Sequence, residues 1–72
     1  MTKYKNIAEN SGVESYEIGQ SFIVVKFHDN NKLYKYSYQK AGRHHVDTMK
    51  NLAMTGMGLN TYINQYVRRL YD

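Results

Sequence analysis

The chain has 72 residues and a formal net charge of +4 at pH 7, with no cysteine, no proline and eight tyrosines. That length supports one domain with a small core, since so short a chain buries only about 60% of its unfolded surface. Disulfide frameworks and thiolate metal sites are excluded, no apolar run approaches the roughly 18 residues of a spanning helix, and Met1–Asn6 lacks a signal-peptide core, so the expectation is a cytoplasmic protein with no membrane partner.

The charge is concentrated. Residues 1–17 set Lys3 and Lys5 against Glu9, Glu14 and Glu17, a net of −1. Residues 18–50 set five lysines and Arg43 against Asp29 and Asp47, a net of +4, and residues 51–72 carry +1 from Arg68, Arg69 and Asp72. The middle of the chain is the basic region and suits an anionic partner, although solubility alone accounts for similar charge in many small domains.

Residues 1–12 are polar and lack a period, which predicts a tail, with the domain spanning 13–72. Val13 to Ile18 alternates loosely and reads as a first strand at a sheet edge; Gly19-Gln20-Ser21 breaks the pattern. Phe22-Ile23-Val24-Val25-Lys26-Phe27 is the most β-branched and aromatic run, and Leu33-Tyr34-Lys35-Tyr36-Ser37-Tyr38 puts three rings on one face of a strand. Asp29-Asn30-Asn31-Lys32 between them is rich in turn formers, so the two runs form a hairpin. With Asn30-Asn31 as a two-residue loop, Phe27 faces Tyr34, Val25 faces Tyr36, Ile23 faces Tyr38, and Lys26 lies across from Lys35. Two lysines so placed repel, and either solvent or an anionic ligand must offset them.

Gln39 to Arg43 reads as a loop. A helix is expected over His45–Thr55, with Val46, Met49, Leu52 and Ala53 as its apolar stripe, ended by a left-handed Gly56 or Gly58. A second helix follows, with Leu59, Tyr62, Ile63, Tyr66, Val67 and Leu70 as its apolar face and Asn60 as its N-cap. The expected fold is a small α+β domain in which an antiparallel hairpin or three-stranded sheet packs on a C-terminal helical hairpin. The tyrosine face meets the helix stripe, so the tyrosines are mainly core.

A strand ending in Phe27, a turn, the Tyr34-Lys35-Tyr36 triplet, a helix, and the element Gly56-Met57-Gly58-Leu59-Asn60-Thr61-Tyr62-Ile63 together resemble the KTSC family over residues 13–67. Members are short domains found alone in bacteria and phages and at the C-terminus of some lysyl-tRNA synthetases. The chain departs from that pattern where Gln39-Lys40-Ala41-Gly42 stands in place of a Val-Pro, and where Asn30-Asn31 replaces a turn glycine. The synthetase association implies RNA, rather than DNA, as a partner.

Three functional readings follow. In the first, Lys26, Lys32, Lys35, Lys40 and Arg43 supply charge to a nucleic acid whose bases stack on Tyr38 or Phe22. In an alternative, residues 52–63 form a helix-turn-helix, and Asn60, Thr61, Asn64, Gln65, Arg68 and Arg69 line the helix that contacts the ligand. The third is a protein-interaction module of phage or bacterial type docking on a larger protein, as a monomer or as a homodimer through the Val13–Ile18 edge. No enzyme is expected: His28, His44 and His45 have no metal-ligand spacing, Gly56-x-Gly58 lacks the lysine of a phosphate loop, and no cofactor is implied.

Overall fold

The computed structural model of the chain describes residues 1–7, 12–28 and 32–72. It is an α+β domain. Strands β1 (Thr2–Lys3), β2 (Val13–Ile18), β3 (Phe22–Phe27) and β4 (Leu33–Ser37) form an antiparallel sheet in the order β1-β2-β3-β4. Helix α1 (Arg43–Thr55) and a shorter helix α2 (Leu59–Tyr62), which continues as the π-helical segment Ile63–Val67, pack on one face of it. None of the described helices is long and apolar enough to cross a membrane.

The N-terminal residues differ from the expected tail. Thr2 and Lys3 pair with Tyr16 and Ser15, so β2 is an inner strand and β1 takes the edge. Tyr4 is buried, its N–H donates to the Glu14 carbonyl at 2.9 Å, and its hydroxyl accepts the Leu59 N–H at 3.3 Å. A two-residue strand is too short to show alternation, and the contacts that hold it come from residues far along the chain.

The hairpin joins the expected strands in a different register. Ile23 lies opposite Tyr36, Val25 opposite Tyr34, and Lys26 opposite Leu33, two residues displaced from the tight-turn pairing. A shift of two keeps every side chain on its face, because strand side chains alternate with period two. The inner face therefore remains Ile23, Val25, Phe27, Tyr34 and Tyr36. Tyr38 lies beyond β4, where its hydroxyl donates to Asp47 of α1 at 2.6 Å instead of facing Ile23. The expected Asn30-Asn31 loop lies outside the described residues.

Ile23, Val25 and Tyr36 of the sheet close a core with Val46, Met49 and Ala53 of α1 and with Leu59, Ile63 and Val67. Burying each large aliphatic side chain of this set contributes about 1.5–3 kcal/mol. Tyr36 is 1% exposed whereas Tyr34 and Tyr38 are half-buried, so the tyrosine face is core with a wet rim.

Helix α1 starts two residues before the expected His45 and ends at Gly56, whose φ of 86° is left-handed and whose N–H donates to the Leu52 carbonyl at 2.9 Å. Any β-carbon at Gly56 would also lie 2.6 Å from Cβ of Lys5. Left-handed Gly58, not Asn60, is the N-cap of α2: its carbonyl accepts the Tyr62 N–H at 3.0 Å, and the Tyr4 hydroxyl accepts the Leu59 N–H. Asn60 then lies within the first turn. Along the second apolar stripe Leu59, Ile63 and Val67 are buried, but Tyr66 is 57% exposed. The π-helical turn takes more residues per revolution than an α-helix, which rotates Tyr66 out of the stripe.

Candidate nucleic-acid interface

The residues expected to form one basic hairpin surface fall in three places. On the outer face of the sheet Lys26 pairs with Glu14 at 2.8 Å, and Lys35 lies opposite Val24 with its ammonium 4.8 Å above the Phe22 ring. The expected Lys26–Lys35 juxtaposition is thus replaced by an ion pair and a cation–π contact. The register shift moves Lys35 along the strand, and a β-bulge between Val13 and Ser15 accompanies the Glu14 contact. The Lys26 ammonium, hydrogen-bonded to Glu14, holds that carboxyl below its ordinary value of 4.5.

Lys32 stands at the turn end of β4, 5.8 Å from the Tyr34 ring centroid. At the other end Lys40 is exposed, and its backbone N–H donates to Ser37 Oγ at 3.2 Å. Strands rise about 3.4 Å per residue, so Lys32 and Lys40 bracket the whole strand and form no common patch.

Tyr38 is the centre of the third group. Arg43 lies 5.5 Å and Lys50 4.9 Å from its ring centroid, and its hydroxyl donates to Asp47 while accepting from Lys50 at 3.3 Å. Arg43 also approaches Asp47 at 3.7 Å. Both candidate stacking rings, Tyr38 and Phe22, therefore already carry cations of the same chain.

A concave site lies elsewhere. Between the far end of the hairpin and the C-terminal helical segment is a cleft of about 650 Å³. Its aromatic wall is built from the sheet and the C-terminal residues: Phe27 and Tyr34 meet edge-to-face at 5.5 Å, and Tyr71 meets Tyr34 at 5.0 Å and Tyr36 at 6.3 Å. Burial among these rings pushes the Tyr36 hydroxyl up to about 12, with the neighbouring Tyr34 and Tyr71 adding to the effect. The facing wall carries Asn60, Asn64, Arg68 and Arg69, with His28 at the hairpin end. No carboxylate lines the cleft among the described residues, and neither arginine is in an ion pair among them.

Four of the six residues proposed for the alternative helix surface thus line the cleft, while Thr61 and Gln65 are exposed and do not. They are brought there by spacing: Asn60, Asn64 and Arg68 recur every four residues beside the buried Leu59, Ile63 and Val67. A duplex-reading helix presents its residues on a convex face, whereas these look across a cleft toward the sheet, and α2 has one regular turn before the π segment.

Spacing in the sequence does not mark Phe27, His28, Tyr34, Tyr36 and Tyr71 as site residues; their one signal is the polar stripe Asn60-Asn64-Arg68, which needs a facing wall. On the other flank of the same helix His45 Nδ1 lies 2.7 Å from the Tyr62 hydroxyl, and the exposed Tyr66 ring lies tilted against Tyr62 with centroids 4.7 Å apart, a second aromatic group. Among the described residues no group of three or more histidine and acidic side chains is placed to hold a metal ion.

Comparison of the chain with models of protein families, with curated proteins and with solved structures gives no match in any of the three. The motif elements of the KTSC resemblance occupy β4, at Tyr34-Lys35-Tyr36, and the α1–α2 junction, at Gly56 to Ile63.

Proposed function

We propose that the domain is a non-catalytic binding module for single-stranded nucleic acid, RNA rather than DNA, and that the cleft between Tyr34 and Arg68 is its site. The observation that carries this reading is one concave surface combining an aromatic wall, two amides and two arginines that are in no ion pair among the described residues, with no carboxylate among its described lining residues. Single-strand binders pair cationic contacts to phosphate with rings against which bases stack, each stacked base being worth about 1–3 kcal/mol. In this reading Arg68, Arg69 and His28 contact phosphates. Tyr34 and Phe27 contact a base, and the Asn60 and Asn64 carboxamides reach base edges or a ribose 2′-hydroxyl. The resemblance to KTSC domains favours RNA. The hairpin lysines contribute long-range attraction.

The test is an amide-shift NMR titration with single-stranded RNA, single-stranded DNA and duplex DNA at low and physiological salt. Expected are salt-sensitive shifts at Phe27, His28, Asn60, Asn64, Arg68 and Arg69, larger with RNA. Shifts confined to Phe22, Lys26 and Lys35 would return the site to the outer face. Silence with all three ligands at low salt would reject nucleic acid.

A further inference from the structure

β4 is the outer strand of the sheet, and residues 71–72 of the chain lie along its open edge. The Asp72 N–H donates to the Lys35 carbonyl at 2.7 Å, and the Ser37 hydroxyl donates to Asp72 Oδ1 at 2.8 Å. Tyr71 goes to the opposite side, where its ring meets Tyr34 and Tyr36. Successive residues thus contact opposite faces of the sheet, which is the alternation of an added strand. On the outer side Asp72 sits with Lys35, Ser37 and Tyr38 in a second cleft of about 270 Å³. Among the described residues no carboxylate lies within ion-pair distance of Lys35, and Leu33, two residues along the same face, is 55% exposed.

We propose that the β4 edge is a strand-addition site for an extended segment of a partner protein in which an aromatic residue is followed by an acidic one, and that Tyr71–Asp72 is the resident stand-in for that segment. The inner subsite is the edge-to-face seat offered by Tyr34 and Tyr36. The outer subsite is the Ser37 hydroxyl, which donates to the resident carboxylate, with the Lys35 ammonium over Phe22 adding longer-range attraction for a negative charge. Backbone bonding along β4 supplies the sequence-independent part of the recognition. The resident segment engages the edge through one backbone bond and two side chains, so local opening exposes it without unfolding the sheet. A peptide that brings its own aromatic ring restores the wall formed by Tyr71, so this site is compatible with an occupied main cleft and does not depend on the nucleic-acid reading.

The probe is a capped synthetic peptide centred on Leu-Tyr-Asp, titrated into the isotope-labelled full chain and into its Tyr71→Ala variant. Shifts are expected at the Leu33, Lys35 and Ser37 amides, with roughly ten-fold or more tighter binding to the variant, because removing the resident competitor raises the open fraction. If Tyr71→Ala does not fold, Asp72→Lys weakens the resident segment from the solvent side and should tighten peptide binding in the same direction. Peptides with the tyrosine changed to alanine, or the aspartate to lysine, should lose these shifts. The proposal is overturned if no β4 amide moves in any of the proteins, or if the control peptides bind equally well. A concentration-dependent dimer without peptide, with shifts at the same amides, would also overturn it by making the partner a second copy of this chain.

Discussion

The outer face of the hairpin and the cleft at its inner end are both basic and both aromatic, yet their cations are in different situations. On the outer face Lys26 is held by Glu14 and Lys35 by Phe22, and on the adjoining helix α1 Arg43 and Lys50 are held by Asp47 and Tyr38. In the cleft Arg68 and Arg69 are in no ion pair among the described residues and share a concave wall with two amides. The outer face has more charge, but its two lysines already have partners. A ligand there would have to displace contacts, whereas of the described basic residues in the cleft His28, 3.7 Å from Glu14 Oε1, is in an ion pair and the two arginines are not. Charge density along a sequence thus speaks to long-range attraction of an anion, and concavity speaks to where a ligand can be enclosed.

Neighbouring residues of β4 test the contrast most severely. Tyr36 belongs to the cleft wall and the core, and Tyr36→Ala is expected to cost about 3–5 kcal/mol, enough to unfold most of a domain this small. Lys35→Ala, one residue away on the other face, should stay within about 0.5 kcal/mol. Urea denaturation of both variants measures the difference, and equal losses would mean that the two faces are not distinct.

Alkaline pH acts on the cleft side through Tyr36. The Tyr36 hydroxyl is raised from 10.0 to about 12. As pH climbs, the unfolded chain therefore loses this proton first. The stability it contributes is complete below pH 10 and is lost between 10 and about 12, by at most about 3 kcal/mol. Stability curves of the native chain and of Tyr36→Phe across that window check the sign, the decline being smaller in the variant.

The turn that hangs the arginine-bearing helix on α1 should be next in sensitivity. Gly56→Ala meets a left-handed backbone and the Lys5 side chain, so a loss of at least about 1–2 kcal/mol is expected in thermal melts. The smallest effect belongs to the outer face. The Glu14 carboxyl is lowered by Lys26, so its contribution is present above its ordinary value of 4.5 and lost as pH falls through its lowered value. Comparing the native chain with Glu14→Gln at pH 7 and in strong acid should show a slight native advantage at pH 7 that vanishes in acid.

The parts of the fold that were legible in the sequence are those carried by period. Tyr34 and Tyr36 alternate with Lys35, and Val46, Met49 and Ala53 recur at helical spacing, so the sheet face and the helix stripe could be read directly. Register was not legible, because the two-residue displacement preserves every face assignment and the partners that accompany it, Tyr71 and Asp47, come from outside the hairpin. β1 was hidden for a related reason: a two-residue strand has no period, and Tyr4 is secured by Glu14 and Leu59. The candidate site was half legible. Asn60, Asn64 and Arg68 form a visible polar stripe, but the wall they face joins Phe27, Tyr34 and Tyr71 from three separate segments.

The central claim is that the cleft, and not the outer face of the hairpin, holds the nucleic acid. Its most direct test is the affinity of a labelled single-stranded RNA of about ten nucleotides for two double charge reversals, measured by fluorescence anisotropy across a salt series. Arg68→Glu with Arg69→Glu should abolish binding at unchanged thermal stability, removing a salt slope of about −1.4 for two phosphate contacts. Lys26→Glu with Lys35→Glu should slow association and leave most of the equilibrium affinity. The opposite pattern, binding kept by the arginine pair of reversals and lost with the lysine pair, would contradict the account.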